Sequence, residues 1–317
     1  MAGSGRVLIP GGTGYVGGRL AESLHAAGWQ VRVGSRRDVA WPGPAGSAIE
    51  MQQCDWRSAA DRRRAASGCQ ALVMLAAANE IEAARDPVAA AQDTATQCLA
   101  WLQTAHQCGI ARFVHMSTIH VYGSAGGDAI SESTPARPLH PYAETHLAAE
   151  VFVAAAGRRG DLKTTVFRLS NSFGPPVDAR VDRWTLLVND LARQAVETGT
   201  LTLRSDGLQA RDFIPLGAVC EAVRWALESA GPGALYNLGS GQSLTVHEMA
   251  CRVADRCEQV LGFRPPVVRP EPVSGAKPGR YLLDVEALRR DGGLAAQDWT
   301  TEVDGLLRFC REHFSPR

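Results

Sequence analysis

The chain has 317 residues, of which 45% are hydrophobic and 21% charged; this length allows a large core and suggests about two domains. Because 33 Lys and Arg residues balance 33 Asp and Glu residues, we expect no nucleic acid or other polyanion as a partner. The start "MAGSGR" is not typical of a signal peptide, and the longest apolar run, residues 71–78, is too short for a membrane span of about 18 residues. Eight cysteines without a CxxC pair indicate no metal site and fit reduced thiols in a cytoplasmic protein.

Strands and helices alternate along the first half of the chain. "RVLIPGG" predicts a first strand, "YVGGRLAESLHAAG" a helix that ends at Gly28, and "WQVRVGS" a second strand. Three further strands are predicted in "AIEMQQCD", "QALVMLAAA" and "IARFVHMST", with a long helical stretch near residues 88–108 between the last two. This order predicts a parallel sheet with helices on both faces, whose ligands bind at the carboxyl ends of the strands.

Three glycines, Gly11, Gly14 and Gly17, follow the first predicted strand in GxxGxxG spacing. Glycine lets the backbone turn tightly and approach a pyrophosphate, which then lies at the N-terminus of the following helix. The strand–turn–helix context therefore predicts a dinucleotide-binding turn. A glycine-rich turn without a ligand is the alternative.

The second predicted strand ends in Ser35, Arg36 and Arg37. A cofactor without a 2′-phosphate usually meets an Asp or Glu here, about 20 residues beyond the glycines. Arginine side chains suit a phosphate instead, because the guanidinium group offers charge and paired donors. The sequence therefore favours NADP(H) and keeps NAD(H) as the alternative. Two solvated arginines in an arginine-rich protein are the other explanation of this pattern.

Tyr142 and His146, in "PYAETHLAAE", lie four residues apart at the start of a predicted helix and so share one face of it. A tyrosine exchanges a proton with a reacting group more readily when a nearby positive charge lowers its pKa from about 10. Histidine, with an ordinary pKa of about 6.5, does not carry that charge reliably at neutral pH. The pair is either a catalytic tyrosine with an unusual partner or an ordinary helix start.

The chain resembles the extended short-chain dehydrogenases/reductases that act on nucleotide sugars. The motifs that carry this resemblance are, in chain order, "GGTGYVGG", "CDWRS", "VMLAAA", "FVHMSTIHVYG", "PYAETH", "FRLSNSFGP", "SDGLQARDFIPLGAVCEAV" and "YNLGSGQSLTVHEMA", so it covers nearly the whole chain. It implies an α/β fold with a Rossmann-type doubly wound parallel sheet over residues 1–170, to which roughly residues 206–240 return. The remainder, mainly within residues 171–317, would form a smaller C-terminal α/β lobe that binds the nucleotide sugar.

The resemblance also implies roles for individual residues. Thr118, Tyr142 and His146 match the catalytic Ser/Thr, tyrosine and lysine positions, while Asp55 and Trp56 would flank the adenine. The other positions that would face the cofactor are Gly11, Gly14, Tyr15, Val16, Gly17, Ser35, Arg36, Arg37, Ala76, Ala77 and Ala78, together with Tyr142 and His146. The positions on the substrate side are Thr118, His120, Asn171, Arg211, Lys277 and Arg280.

Two positions depart from the family pattern. Its dehydratases carry an acidic pair directly after the Ser/Thr, and here Ile119 and His120 occupy those positions, so we do not expect 4,6-dehydration. His120 is either an acid or base for the substrate or a satisfied polar group under the sheet. His146 replaces the lysine; its neutral imidazole can still hydrogen-bond the nicotinamide ribose but supplies less of the positive field that acidifies Tyr142.

These departures favour an NADP(H)-dependent reductase of a nucleotide-bound 4-ketosugar, because reduction asks tyrosine only to donate a proton. Two alternatives are a nucleotide-sugar 4-epimerase with a retained cofactor and a catalytically silent dinucleotide-binding protein. For Arg211, a surface ion pair with Asp206 or Asp212 is the alternative to contact with the nucleotide diphosphate. Family resemblance further implies a homodimer that packs helices near residues 88–108 and 141–157 as a four-helix bundle.

Overall fold

A computed structural model describes residues 5–124, 129–160, 162–229, 233–294 and 297–315. The strands within these ranges are β1 (Arg6–Pro10), β2 (Gln30–Ser35), β3 (Glu50–Gln53), β4 (Ala71–Met74), β5 (Arg112–Thr118), β6 (Lys163–Leu169), β7 (Asn171–Phe173), β8 (Leu201–Thr202), β9 (Ala210–Arg211), β10 (Phe213–Pro215), β11 (Ala234–Leu238), β12 (Leu244–Thr245) and β13 (Val267–Val268). The helices are α1 (Tyr15–Ala26), α2 (Ala59–Ala66), α3 (Glu80–Arg85), α4 (Pro87–Ala91), α5 (Gln97–Gln107), α6 (Pro141–Arg159), α7 (Leu187–Glu197), α8 (Leu216–Glu228), α9 (Val246–Leu261), α10 (Glu286–Arg290) and α11 (Trp299–Phe314).

In the described ranges, seven parallel strands form one sheet in the order β11-β6-β5-β4-β1-β2-β3. The strand order reverses at β1, which leaves a crevice beyond the carboxyl ends of β1 and β4. The predicted fold class is thus confirmed, and the five strands predicted in the first half are β1 to β5. The long helical stretch predicted near residues 88–108 is α4, a π-helical turn over Gln92–Thr96, and α5.

Alternating side chains of the strands supply two hydrophobic layers. Val7 and Ile9 of β1 pack with α1 and α8, whereas Leu8 points to the other face, which α2, α5 and α6 cover. A third cluster joins α7, α9 and α11 around Leu191, Val253 and Leu306 and forms the core of the C-terminal lobe. Two apolar layers therefore cover the two faces of the sheet, and a third cluster forms the core of the lobe beside it.

Contacts between α1 and the lobe fix the lobe beside the sheet. Arg19 of α1 donates to Glu302 of α11 over 2.7 Å, and the other oxygen of Glu302 accepts from the Gly217 N–H over 3.0 Å. Gly174 has φ +144, and a Cβ there would lie 2.1 Å from the Glu302 carboxylate. Only glycine therefore allows the chain leaving β7 to approach this carboxylate.

A buried charged network joins α6 to β5 and β6. Glu150 of α6 accepts from the Ser117 hydroxyl over 2.6 Å and from Nε and Nη2 of Arg168 over 3.0 and 2.6 Å. The Arg168 guanidinium also lies 4.7 Å from the ring centroid of Tyr122. Because Glu150 lies two helical turns beyond Tyr142, and Ser117 precedes Thr118, this network sets the position of α6 against the end of β5.

Two histidines are buried between β5 and α6. Burial lowers the pKa of His115 to about 3, with His146 adding to the shift, and it lowers the pKa of His146 to about 4. Both imidazoles are therefore neutral in the folded protein at pH 7, and both take up protons more readily once the chain unfolds.

Replacing Arg168 by methionine should destabilise the protein by about 3–5 kcal/mol, because the carboxylate of Glu150 would stay buried without its cation. Urea denaturation at pH 7 measures the change. Arg180→Met is the matched control, since Arg180 pairs with Asp178 but its side chain is 84% exposed, and no measurable loss is expected there. Equal losses in the two variants would contradict the stabilising role of the buried network.

The free energy of unfolding should fall as the pH falls from about 6.5 toward 4, because the unfolded chain then binds protons that His115 and His146 exclude when folded. His115→Phe removes one of these groups and should reduce the slope by up to about 1.4 kcal/mol per pH unit in that window. Denaturation series at several pH values, for the wild type and for His25→Phe as a control on α1, measure this slope. An unchanged slope in His115→Phe would show that His115 binds protons as readily in the folded protein as in the unfolded chain.

Candidate active site

A cleft of about 730 Å³ lies at the carboxyl ends of the central strands, between the sheet and the C-terminal lobe. The residues after β1, β2, β4, β5 and β6 line it, together with α3, the start of α6 and residues 181–186 of the lobe. The parallel sheet brings these segments together because all its strands end at the same edge. Six of the eight motifs of the sequence analysis therefore reach one cavity, whereas those at residues 205–223 and 236–250 contribute no lining residue.

The glycine turn forms the floor of this cleft. Gly11 has φ +81, and a Cβ there would lie 2.5 Å from the Ala76 nitrogen; a Cβ on Gly17 would lie 2.6 Å from the Gly11 oxygen. Gly14 is the N-cap of α1, no side chain caps that end, and the first turn has no acidic residue. The first N–H groups of α1 are therefore free to bind an anion, and this turn fits the pyrophosphate of a dinucleotide.

The two residues that follow Gly14 differ in what they can offer a ligand. Tyr15 lines the cleft, but its buried hydroxyl donates to the Gly174 oxygen over 2.9 Å and contacts Asn189 Oδ1 at 3.3 Å. Its side chain therefore ties α1 to the lobe, and its backbone N–H is the group left for a phosphate. Val16 lines the cleft with a partly buried side chain.

Ser35 and Arg36 line the cleft at the end of β2, whereas Arg37 lies just outside the lining. The Ser35 hydroxyl accepts from the Arg37 N–H over 3.1 Å. Both arginines are exposed, and neither forms an ion pair with any residue that the structure describes. Their guanidinium groups are therefore available to a ligand at this end of the cleft.

The expected adenine neighbours, Asp55 and Trp56, differ in burial and in whether they line the cleft. Trp56 is buried and lines the cleft, with the Arg57 guanidinium 4.6 Å from its ring centroid. Asp55 is exposed outside the lining, and its carboxylate accepts from the Arg57 N–H over 3.0 Å. Ala76, Ala77 and Ala78 all line the cleft after β4, and the Ala78 N–H donates to Thr94 Oγ1 over 3.1 Å.

Thr118, His120, Tyr142 and His146 meet at one wall of the cleft. The ring centroids of Tyr142 and His146 lie 4.7 Å apart, edge to face, and those of His120 and Tyr142 lie 6.2 Å apart. Thr118 ends β5 and accepts from the His120 N–H over 3.2 Å. The α6 helix begins at Pro141 after the N-cap His140, which places Tyr142 in the first turn, facing the end of β5.

The environment of Tyr142 keeps its phenol protonated. Burial and the negative charge of Glu80 raise the pKa of Tyr142 to about 12, against smaller opposing effects of the Arg183 charge and a hydrogen bond with Thr118. His146 adds no charge to offset this, since burial keeps it neutral. Burial also lowers the pKa of His120, with the charges of Arg211 and His140 adding to the shift and Glu80 opposing it. Thr118, Tyr142 and two neutral imidazoles can thus donate or relay protons, while the charge of Arg183, which is paired with Glu80, does not offset the effect of burial on the phenolate.

Sequence reasoning missed Glu80 and Arg183, which close the cleft beside Tyr142. The Glu80 carboxylate accepts from Arg183 Nη1 over 3.0 Å, and Arg183 lowers the pKa of Glu80 although burial opposes it. Asn79 caps α3 in a capping box, a signal in the sequence that could have placed Glu80 at a helix start after β4. Arg183 precedes α7 in an irregular segment and carries no such signal.

The expected substrate residues lie at different distances from this wall. Asn171 lines the cleft and donates to the Asp212 backbone oxygen over 2.8 Å. Arg211 is half-buried near His120 and donates to Gln209 Oε1 over 3.1 Å; it forms no ion pair with Asp206 or Asp212. Lys277 and Arg280 are exposed and outside the cleft lining.

The described residues contain no cluster of three or more His, Cys, Asp or Glu side chains that could hold a metal ion. None of the helices in the described ranges is both long and apolar enough to cross a membrane.

Comparison with known proteins identifies the family. The profile of the NAD dependent epimerase/dehydratase family matches residues 7–239. The UDP-glucose 4-epimerase of Rhizobium leguminosarum bv. trifolii is 30% identical over 270 residues, which cover 78% of this chain and 81% of that protein. The bovine dTDP-D-glucose 4,6-dehydratase is 31% identical over 221 residues, or 67% of this chain and 59% of that protein. Matches to the mouse and human dehydratases likewise span only 41% and 60% of those proteins.

Solved structures agree with this placement. The dTDP-glucose 4,6-dehydratase DesIV of Streptomyces venezuelae, solved with NAD, superposes with a TM-score of 0.79 at 25% identity over 97% of both chains. The UDP-glucose 4-epimerase of Thermotoga maritima, solved with UDP-glucose, gives a TM-score of 0.81 at 20% identity over 97% of this chain and 99% of that one, which supports the fold. Since the family profile covers well over half of its length, the chain belongs to the NAD dependent epimerase/dehydratase family, in agreement with its resemblance to the extended short-chain dehydrogenases/reductases.

Proposed function

We propose that the protein is an NADP(H)-dependent reductase of a nucleotide-bound 4-ketosugar. The observation that carries this proposal is the phenol of Tyr142, whose pKa is raised to about 12 beside a neutral His146. A protonated phenol is ready to donate to a carbonyl oxygen, whereas accepting a proton from an alcohol requires phenolate. The site therefore favours reduction over oxidation.

The residues of this chain would divide the reaction as follows. A bound nicotinamide supplies or accepts a hydride at the sugar carbon. The hydroxyls of Thr118 and Tyr142 would hold the carbonyl oxygen, and Tyr142 would deliver its proton as the alcohol forms. His146 would hold the cofactor ribose through one ring nitrogen. His120 would face the sugar as a neutral imidazole able to donate or accept a hydrogen bond.

The substrate side of the proposal rests on Asn171, Arg211, Lys277 and Arg280. Arg211 has no carboxylate partner among the described residues, so its charge is available to a nucleotide diphosphate. Residues 1–170, with roughly 206–240, would serve the dinucleotide, and the rest of 171–317 would serve the sugar nucleotide. Ile119 and His120 in place of an acidic pair count against 4,6-dehydration, although several relatives are dehydratases. We further propose a cytoplasmic location.

For the cofactor, two observations support NADP(H) over NAD(H). Ser35, Arg36 and Arg37 offer a hydroxyl and two guanidinium groups that have no ion-pair partner among the described residues, and β2 ends in Ser35 rather than in an Asp or Glu. Proteins of the same fold have been solved with either cofactor: DesIV with NAD, and RMD from Pseudomonas aeruginosa with NADPH.

The protein should bind NADPH more tightly than NADH, and Arg36→Ala/Arg37→Ala should remove most of that difference, because both guanidinium partners of the phosphate are lost. Fluorescence titration with the two reduced cofactors measures both affinities. Arg57→Ala is the control, since this exposed arginine lies over Trp56 and not beside the end of β2. Equal affinities for NADPH and NADH in the wild type would contradict the assignment.

A nucleotide-sugar 4-epimerase is the second candidate, because a relative matched over 78% of this chain and 81% of its own length is a UDP-glucose 4-epimerase. An epimerase restores its cofactor in each cycle, whereas a reductase releases one oxidised cofactor per product. Incubation with a nucleotide-bound 4-ketosugar and NADPH should accumulate NADP⁺ and alcohol in equal amounts. Interconversion of two C4 epimers without net NADP⁺ would instead support the epimerase.

Tyr142→Phe should abolish this turnover while leaving NADPH binding nearly intact, because the proton donor alone is removed. His146→Lys should aid the oxidative direction more than the reductive one, because a cation stabilises phenolate. Initial rates in both directions test the pair of variants. Full turnover by Tyr142→Phe would rule out the catalytic assignment of this tyrosine, whereas no turnover by the wild type would favour a catalytically silent dinucleotide-binding protein.

The protein should form a homodimer in which two helical stretches of each copy, the continuous α4–α5 stretch and α6, build a four-helix bundle. Val88 of α4 and Val151 of α6 are large apolar side chains exposed on these helices, as an interface would require. Light scattering at micromolar concentration should give twice the mass of the 33.9 kDa chain, and Val151→Lys should give the monomer. Val273→Lys, at an exposed valine of the lobe, is the control. A monomeric wild type would contradict the prediction.

A further inference from the structure

Three buried rings behind the cleft have ring nitrogens without a partner. His115 of β5 is 2% exposed, His146 of α6 is 4% exposed, and Trp101 of α5 is 1% exposed. Both nitrogens of each histidine and Nε1 of Trp101 have no hydrogen-bond partner among the described residues. His146 and Trp101 line the same cleft, and His115 and His146 have ring centroids 5.9 Å apart, tilted by 31°.

All three rings belong to the packing layer between β5, α5 and α6. Phe113, two residues before His115, packs with Trp101 in this layer, and alternate residues of a strand point to the same face. On the neighbouring strands, His115 is paired with Met74 and Val166, which belong to the same apolar cluster. The two unpaired nitrogens of His115 thus lie in an apolar layer and are costly to leave unsatisfied.

The number of hydrogen-bond donors and acceptors on the three rings determines which partner can satisfy their unpaired nitrogens. The Trp101 indole is a donor only, and each neutral imidazole has one N–H and one lone pair. Water fits such a set, because it accepts one hydrogen bond while donating two and needs two to four polar partners in a buried site. Two hydrogen bonds of about 2.8 Å through one water molecule join nitrogens up to about 5.6 Å apart, which suits the observed ring separation.

We propose that Trp101 and His115 hold a water molecule that fixes the tautomer of His146. The Trp101 N–H donates to this water, so both water hydrogens are left for the lone pairs of His115 and His146. The nitrogen of His146 that faces this water, its inner nitrogen, is then an acceptor. The other nitrogen, its outer nitrogen, must carry the proton. A second water molecule satisfies the remaining N–H of His115.

This arrangement explains how a neutral histidine could take over part of the work of a lysine. The outer N–H of His146 points to the cleft as a fixed donor, which suits a ribose hydroxyl. The inference rests on the proposed function in one respect, that His146 faces the cofactor. Trp101 and His115 are then positioning residues, because they act on the cofactor only through His146.

The test is the tautomer of His146 in the cofactor-free protein, read from its two ring nitrogen shifts in a long-range ¹⁵N–¹H correlation spectrum of ¹⁵N-histidine-labelled protein at pH 7.5. The wild type should show one neutral tautomer. Trp101→Phe, which removes the donor to the water, should give a mixture of both tautomers, and His115→Phe, which removes the second acceptor, should do the same. The NADPH dissociation constant should rise about two- to tenfold in both variants, as expected for a weakened hydrogen bond.

Trp29→Phe is the matched control, since Trp29 is another buried indole with an unpartnered Nε1 and lies in the cluster on the opposite face of the sheet. It should leave the His146 shifts unchanged. A tautomer mixture in the wild type, or an unchanged single tautomer in folded Trp101→Phe and His115→Phe, would overturn the proposal. A mixture in these variants with unaltered NADPH affinity would support the water bridge and count against the placement of His146 at the cofactor.

Discussion

Burial of His146 beneath Tyr142 is the constraint on which the chemistry of this site depends. The side chain of His146 is a neutral imidazole whose pKa burial lowers to about 4. Burial and the carboxylate of Glu80 raise the pKa of Tyr142 more than the charge of Arg183 lowers it, and the phenol is held in its protonated form. Proton donation by the phenol needs no further charge, whereas proton abstraction by a phenolate would need more positive charge than Arg183, which is paired with Glu80, supplies.

The fold supplies the geometry that makes this constraint effective. Parallel strands bring Thr118 to the same edge as the glycine turn, and the network of Glu150, Arg168 and Ser117 positions α6 so that Tyr142 faces Thr118. From the other side, Tyr15 and Arg19 of α1 hold the lobe, whose Arg183 reaches Glu80. The buried polar groups that join these elements therefore also align the side chains of the proposed reaction.

The central strands could be predicted from the sequence because each is a short apolar run that ends in a turn or a polar motif. The glycine turn and Tyr142 could be predicted because their chemistry depends on local spacing. Helix α2 was missed, since in "AADRRRAA" only Ala65 and Ala66 are buried and no apolar period marks it. The π-helical turn at Gln92–Thr96 lies inside a stretch that reads as one helix.

Long-range contacts could not be predicted in the same way. The Glu80–Arg183 pair joins residues 103 positions apart, and the hydroxyl of Tyr15 is bonded to Gly174 and Asn189 of the lobe, so neither contact leaves a local pattern. The burial of His115 and His146, which decides their charge, is likewise a property of packing between β5 and α6. Sequence could identify that a histidine replaces the lysine, but only the packed structure gives its protonation state.

The most direct test of this account is the pKa of Tyr142 in the cofactor-free protein, measured by NMR titration of protein labelled with ¹³C at the tyrosine ζ carbon, with Tyr142→Phe to assign the resonance. The account predicts that Tyr142 stays protonated through pH 10 and ionises with a midpoint near 12, because burial and Glu80 both oppose phenolate. A midpoint between about pH 6 and 8, as expected for a phenol beside a permanent cation, would contradict it.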